Sequence, residues 1–235
     1  MGTGSVFVST PGGGSPSRIT PMKLLRPVYA YSADDKELAQ VEGALSIWPE
    51  LGRSGVDATQ GIAGAQPKMD RMFNVPKIDF SETTGKYMNV AMERSLFNKD
   101  FSIATKIKFN FINRYNTIFS IGDAVNYKGI QLTTAVNGTL ALYSYGVAVT
   151  HGAILTTTKE YFLSCAFKTN GSVTLYVDDV AQEGTLGAMN VGTTQGGRIG
   201  ASSLWADAYS TSAIRWIAFY DRFLNEDENR RLALL

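Results

Sequence analysis

The stretch Tyr161-Phe162-Leu163-Ser164-Cys165-Ala166-Phe167-Lys168-Thr169-Asn170-Gly171-Ser172-Val173-Thr174-Leu175-Tyr176-Val177-Asp178 decides the fold class. Two runs with period-two alternation flank an Asn-Gly pair, which reads as a β-hairpin. A two-residue Asn-Gly loop is the first geometry to test. It fails on phase, because it sets Lys168 opposite Val173 and Phe167 opposite Thr174. A three-residue loop ending in a left-handed glycine pairs Phe167 with Val173, Cys165 with Leu175 and Leu163 with Val177. All six then share one face, so Gly171 is predicted to occupy the bulge position.

The same chemistry recurs upstream in Ala135-Val136-Asn137-Gly138-Thr139. The three-residue loop, with Gly138 at the bulge, pairs Leu132 with Leu142 and Thr134 with Leu140. Gln131, Thr133, Tyr143 and Tyr145 are thereby sent to the opposite face. Further upstream, Phe101-Ser-Ile103-Ala-Thr-Lys-Ile107-Lys-Phe109-Asn-Phe111 alternates as a half-buried strand does. Ile214-Arg-Trp216-Ile217-Ala-Phe219-Tyr220 is apolar on both faces, as expected of a strand covered on both sides. After it, Asn225-Glu-Asp-Glu228 reads as a capping box that opens a short C-terminal helix. Strands therefore dominate, and the chain is expected to be all-β: a two-sheet antiparallel sandwich with one short terminal helix.

Composition narrows the function. The 235 residues are 44% hydrophobic and 11% aromatic, enough for one sizeable core. Charge is low at 18% and nearly balanced at net +1, so no basic field attracts nucleic acid or an anionic membrane. The one cysteine, Cys165, lies in an apolar run and reads as a buried small hydrophobe. The one histidine, His151, reads as a loop residue without a catalytic partner. Metal sites and nucleophile pairs built on His and Cys thus have almost no raw material. Met1 is followed by Gly-Thr-Gly-Ser and not by a basic and then apolar stretch, so no secretory signal is expected.

Residues 1–27 form an arm rich in Gly, Pro, Ser and Thr, ahead of a folded unit over 28–235. Such a stretch cannot bury enough apolar surface to fold alone. It reads either as a flexible tail or as an assembly arm, in which Val6-Phe7-Val8 adds a strand to another subunit's sheet edge.

Four segments together resemble the laminin-G/concanavalin-A-like lectin superfamily. They are Lys77-Ile-Asp-Phe80 with Tyr87-Met-Asn-Val90; Phe101-Ser-Ile103-Ala-Thr-Lys-Ile107; Val173-Thr-Leu175-Tyr176-Val177-Asp178, where Asp179 replaces the usual glycine; and Ile214 to Glu228. Upstream, Ile47-Trp48-Pro-Glu50-Leu51-Gly-Arg53-Ser54-Gly55-Val-Asp57-Ala58-Thr59-Gln60 resembles an opening that often precedes this fold in phage structural proteins and bacterial surface proteins. Glu50 and Arg53 depart from its pattern. The resemblance implies a concanavalin A-like jelly roll. Retaining glucanases of this fold carry two carboxylates about 5 Å apart, commonly as Glu-x-Asp-x-x-Glu. No such string occurs here, and Asp178 and Asp179 are adjacent, so no enzymatic activity is expected.

The resemblance, the arm and the lack of an export signal point to a virion structural protein. It would be a capsid decoration or head/tail accessory subunit, made in the host cytoplasm and partnered by other capsid subunits in many copies. The alternative is a carbohydrate-binding, lectin-like module for weak, multivalent attachment to surface glycans. Gln131, Tyr143 and Tyr145 read either as contacts for a sugar ring or partner chain, the two tyrosines lying about 7 Å apart along one strand, or as packing against a second sheet or a neighbouring loop. Trp205 and Asp207, in a late loop, read either as a second binding set anchored by the Trp or as a Trp that caps the core. Asp123 and Asn126 read either as oxygen ligands of a structural calcium, as laminin-G rims often hold, or as ordinary turn chemistry. No other cofactor is implied.

Overall fold

The computed structural model describes residues 25–34, 43–70, 75–81, 85–123, 128–144, 146–187, 189, 191, 196–204 and 208–235. In chain order the first strands are β1 (Tyr29–Ser32), β2 (Ile47–Trp48), β3 (Ala58–Thr59), β4 (Lys68–Asp70), β5 (Lys77–Asp79), β6 (Met88–Val90), β7 (Phe101–Phe109) and β8 (Asn116–Asp123). There follow β9 (Lys128–Thr134), β10 (Thr139–Ser144), β11 (Val147–Ile154), β12 (Glu160–Phe167), β13 (Ser172–Val177), β14 (Val180–Thr185), β15 (Gly197–Ile199), β16 (Ser212–Tyr220) and helix α1 (Glu226–Ala233). They form two eight-stranded antiparallel sheets. The first runs β14-β13-β12-β7-β16-β5-β4, with β1 also on β16; the second runs β11-β10-β9-β8-β15-β6-β3-β2.

Both hairpin registers are as the turn argument requires. Phe167 pairs with Val173, Cys165 with Leu175 and Leu163 with Val177; Leu142 pairs with Leu132 and Leu140 with Thr134. Gly138 and Gly171 hold φ of 82° and 91°, the left-handed region glycine enters without a Cβ penalty. Phe101, Ile103, Ile107, Phe109, Leu163, Cys165, Phe167, Val173, Leu175 and Val177 all enter the main core between the sheets. At its centre Phe119 packs edge-on to Phe219 (4.7 Å between centroids) and stacks with Phe97 (5.9 Å).

Strand β16 is covered on both faces. Ile217 and Phe219 face the main core, while Trp216, Ala218 and Tyr220 join Leu224 and Leu232 in a second cluster. Helix α1 thus roofs the outer side of the first sheet, and it opens on the expected capping box between Asn225 and Glu228. Burial pushes the Cys165 thiol up to about 12, as befits a core hydrophobe.

Two expectations change. His151 is not a loop residue. It lies in β11, buried, accepting from the Ala153 N–H through Nδ1 (2.9 Å) and meeting the Val180 carbonyl through Nε2 (3.1 Å). It ties the edge of one sheet to the edge of the other. Strand β7 ends at Phe109, so Phe111 leaves the alternation and is 64% exposed. The departures at Glu50 and Arg53 are structural: Glu50 accepts from the Ala30, Gly52 and Gly55 N–H groups, and Arg53 pairs with Asp221.

Candidate functional site on the outer face of the second sheet

Alternation sends every second residue of the second sheet away from the core. Met88, Val90, Ile199, Phe119, Ile121, Leu132 and Leu142 point inward, so Asn89, Arg198, Ser120, Gln131 and Tyr143 point outward. Strand pairing sets these side by side in one row: Thr59, Asn89, Arg198, Ser120, Gln131, Tyr143, Ala148. Hydroxyl, amide, guanidinium and phenol groups therefore cross the sheet in sequence.

The middle of the row is covered by the chain that follows β15. Ser120 Oγ donates to the Ala201 carbonyl (3.0 Å) and accepts from the Ser203 N–H. Ser202 Oγ donates to Gln131 Oε1 (2.7 Å), and Gln131 Nε2 donates to Thr117 Oγ1 (2.9 Å). Leu204 lies flat here because the cross-strand partners Gly122 and Gly129 have no side chains. A Cβ on them would sit 2.8 Å and 2.9 Å from Leu204 Cδ2. Gln131 is consequently fully buried. This corrects the expectation that it belongs to an open binding face: the register argument placed it on the right side of the sheet, and the covering loop then closed over it.

Either side of that cover the face is open. Toward β11, Tyr143 is half-buried and its ring meets Tyr115 edge-on, 6.4 Å between centroids. Burial, and then the neighbouring Tyr115, push the Tyr143 hydroxyl above its ordinary value. Tyr145 lies outside the described residues, as do Trp205, Asp207, Asn126 and Val6-Phe7-Val8. Asp123 ends β8 opposite Lys128. Among the described residues no group of three His, Cys, Asp or Glu is placed to hold a metal ion.

Toward β2 the row opens into a groove of about 1110 Å³ lined by Thr59, Asn89, Glu93, Arg94, Arg198 and Ser203. Arg198 is held rigidly there. Its Nη1 donates to the Ser202 carbonyl (3.2 Å), and its guanidinium lies over the Tyr87 ring, 4.7 Å from the centroid. Asn89, its cross-strand partner, is exposed. Donors and acceptors fixed on a sheet suit a hydroxyl-rich ligand, because little ordering cost attends binding. The sequence carried one signal for this groove, the Met88-Asn89-Val90 and Gly197-Arg198-Ile199 alternations. The pairing that unites them joins strands distant in the chain, which neither alternation reveals.

No family model matches the chain, and no curated protein does. Solved structures match it by fold. The receptor-binding domain of botulinum neurotoxin type G superposes with a TM-score of 0.64 at 10% identity, over 89% of this chain and 51% of that one. The chain shares a β-sandwich fold with these domains. The binding domain of botulinum neurotoxin DC in complex with SialylT gives 0.62 at 11% identity, over 89% and 51%. Trypanosoma rangeli sialidase in complex with 2,3-difluoro-KDN gives 0.61 at 18% identity, over 89% and 32%. The chain spans about a third of the sialidase and half of the toxin domains.

Proposed function

We propose that the protein is a lectin-like module that binds a glycan, without turning it over, in the groove formed by Asn89 and Arg198. The row of hydrogen-bonding side chains on the outer face carries this reading. Vicinal hydroxyls need donors and acceptors at fixed spacing, and an amide beside an anchored guanidinium supplies both. The company of the fold supports it: the neighbouring sialidase was solved with 2,3-difluoro-KDN and a toxin domain with SialylT. Binding through one open groove is weak, so we further propose that the module works in many copies, displayed on a shared particle such as a virion.

The test is a glycan array probed with the multimerised full chain, alongside Asn89→Ala and Arg198→Ala. Each variant should lose signal about tenfold, the worth of one charged or well-placed hydrogen bond, and incubation with the bound glycan should release no sugar. Undiminished binding by both variants, or no binding to any glycan, overturns the assignment.

A further inference from the structure

Three connections meet at the opposite end of β8 from the groove. They are residues 110–115 after β7, the β9–β10 turn at 135–138, and residues 155–159 after β11. Asn116 opens β8 and Gly122 lies near its close, so the two ends are about 20 Å apart. Between these connections lies a second concavity of about 750 Å³.

Its walls are unusual in two ways. Large apolar side chains stand out into solvent around it: Phe111 is 64% and Ile154 69% exposed, with Val136 at 52% on the adjoining turn. Between them are the amides of Asn110, Asn113 and Asn137 and the hydroxyls of Thr156 and Thr157. Asn137 Oδ1 is taken by the Thr139 N–H and hydroxyl, which leaves its own N–H donors uncommitted. Among the described residues lining the concavity there is no carboxylate, and Arg114 is the one cation.

The exposure of Phe111 is built in. Asn116 is fully buried, and its Nδ2 donates to the carbonyls of Phe111 (2.9 Å) and Arg114 (3.2 Å) and to Thr134 Oγ1 (3.0 Å). Its Oδ1 accepts from the Thr211 N–H and hydroxyl. The second wall is pinned by the Leu155 N–H, which donates to the Gly138 carbonyl (2.9 Å). Ile112 and Ile154 both crowd Gly138, where a Cβ would meet their Cγ2 atoms at 2.5 Å and 3.5 Å. A buried amide thus holds a loop that presents an aromatic ring to water.

We infer that this concavity is a binding site for a neutral saccharide, separate from the outer-face groove and independent of it. A sugar ring offers an apolar face of C–H groups, for which Phe111 and Ile154 provide the surface. Its rim of hydroxyls both donates and accepts, matching the amides of Asn110, Asn113 and Asn137 and the Thr157 hydroxyl, while the Thr156 hydroxyl is held by Thr158 and Tyr161. Concavity decides against the competing partners. A volume of this size holds one or two rings, whereas a bilayer would leave the amides of Asn110, Asn113 and Asn137 between the apolar side chains without partners, and a protein partner demands a broad, flatter patch. The scarcity of charge sets the ligand class as neutral.

The experiment is saturation-transfer and chemical-shift NMR on the full chain, titrated with lactose, maltose and N-acetylglucosamine. Phe111→Ala, Asn113→Ala and Arg198→Ala are run in parallel. Phe111 and Asn113 are exposed, so their variants should fold as the parent does. At least one of the sugars should shift the resonances of residues 110–115 and 154–157. Its affinity should fall about tenfold in Phe111→Ala, severalfold in Asn113→Ala, and stay unchanged in Arg198→Ala. Three results overturn the inference: no shifts at these residues with any sugar, equal affinity in Phe111→Ala, or loss of binding in Arg198→Ala alone, which would place the sugar in the groove. Phe111-dependent sedimentation with phosphatidylcholine vesicles, or Phe111-dependent dimerisation, in the absence of sugar binding overturns it equally.

Discussion

Replacing Asn116 by Ala tests whether one buried amide holds the loop end of the sandwich. The side chain has five hydrogen-bond partners: its two N–H groups are shared among three acceptors, and its oxygen accepts twice. A typical intramolecular hydrogen bond is worth about 1 kcal/mol net, and a buried group left without a partner costs about 1–3 kcal/mol. The Phe111 and Arg114 carbonyls are near the surface and can recover water. The Thr211 N–H sits in a buried residue and cannot do so as readily. The sum is a loss of about 3–5 kcal/mol, among the larger single-site effects. For a chain of this size urea unfolding has a slope of about 3 kcal/mol per molar, so the midpoint should fall by about 1–1.7 M. Amide hydrogen exchange should show residues 110–115 losing protection before the rest of β7 and β8. Asn116→Asp keeps the acceptor but turns a carboxylate toward two carbonyls. Its folded-state pKa is then raised, and the variant should regain stability as pH falls toward 4. A midpoint shift under about 0.3 M for Asn116→Ala, with unchanged exchange at 110–115, would refute the hub.

Other substitutions probe the remaining devices. Gly171→Ala should cost about 3 kcal/mol or more, because φ is +91° and the new Cβ would sit 2.2 Å from the Leu186 carbonyl oxygen; Gly146→Ala, at φ +78° in open space, should cost only about 1 kcal/mol. Equal losses by calorimetry would show that close approach plays no part at Gly171. The Arg222 hydrogen bond, aided by the Asn225 N–H, holds the Glu228 carboxyl below its usual range. Its stabilising effect is therefore present above the unfolded-state value of about 4.3 and is lost as pH falls through the lower folded value. The stability gap between the parent and Glu228→Gln should thus be constant from pH 7 to about 5 and shrink by about pH 3; a gap independent of pH contradicts this. Cys165, buried and with its thiol pushed up to about 12, should resist a disulfide reagent at pH 8 until urea unfolds the chain; rapid labelling of the folded protein would mean the core opens.

The sequence was most informative where chemistry is local. Asn170-Gly171 and Asn137-Gly138 fix their registers because a bulge glycine and a two-residue period leave one consistent phase, and both pairings follow. Asn225 and Glu228 lie one turn apart, so the capping box is visible without any tertiary knowledge. Reading failed where a distant partner decides. Phe111 continues the alternation of β7 on paper, yet Asn116 and Thr211, from elsewhere in the chain, pull the backbone out of the sheet after Phe109. His151 looks like a turn residue beside Gly152, yet the Val180 carbonyl on another strand makes it an internal strut. Glu50 looks like a departure from a motif, yet its carboxylate gathers the Gly52 and Gly55 N–H groups of its own loop and the Ala30 N–H of β1.

The outer face of the second sheet shows why periodicity locates a surface but does not open it. Alternation and register are enough to put Gln131 and Tyr143 opposite each other, pointing away from Leu132 and Leu142. What happens next depends on a strip with no side chains. Gly122 and Gly129 face each other across β8 and β9, Leu204 settles on that bare backbone, and Ser202 and Ser203 then reach Gln131 and Ser120. The same hydroxyls that look free on a strand diagram become internal fasteners, and the row is cut into a tyrosine side and an arginine side. Arg198 is also caught by the cover, through the Ser202 carbonyl, which points its remaining donors into the groove beside Asn89. A substitution that loosens the cover, such as Leu204→Ala, therefore acts at two places at once. It exposes Gln131 and frees Arg198 from its anchor, so ligand affinity in the groove should fall although no groove residue has changed. Unchanged affinity with Gln131 opened to solvent would separate the two effects and show that Arg198 needs no such support.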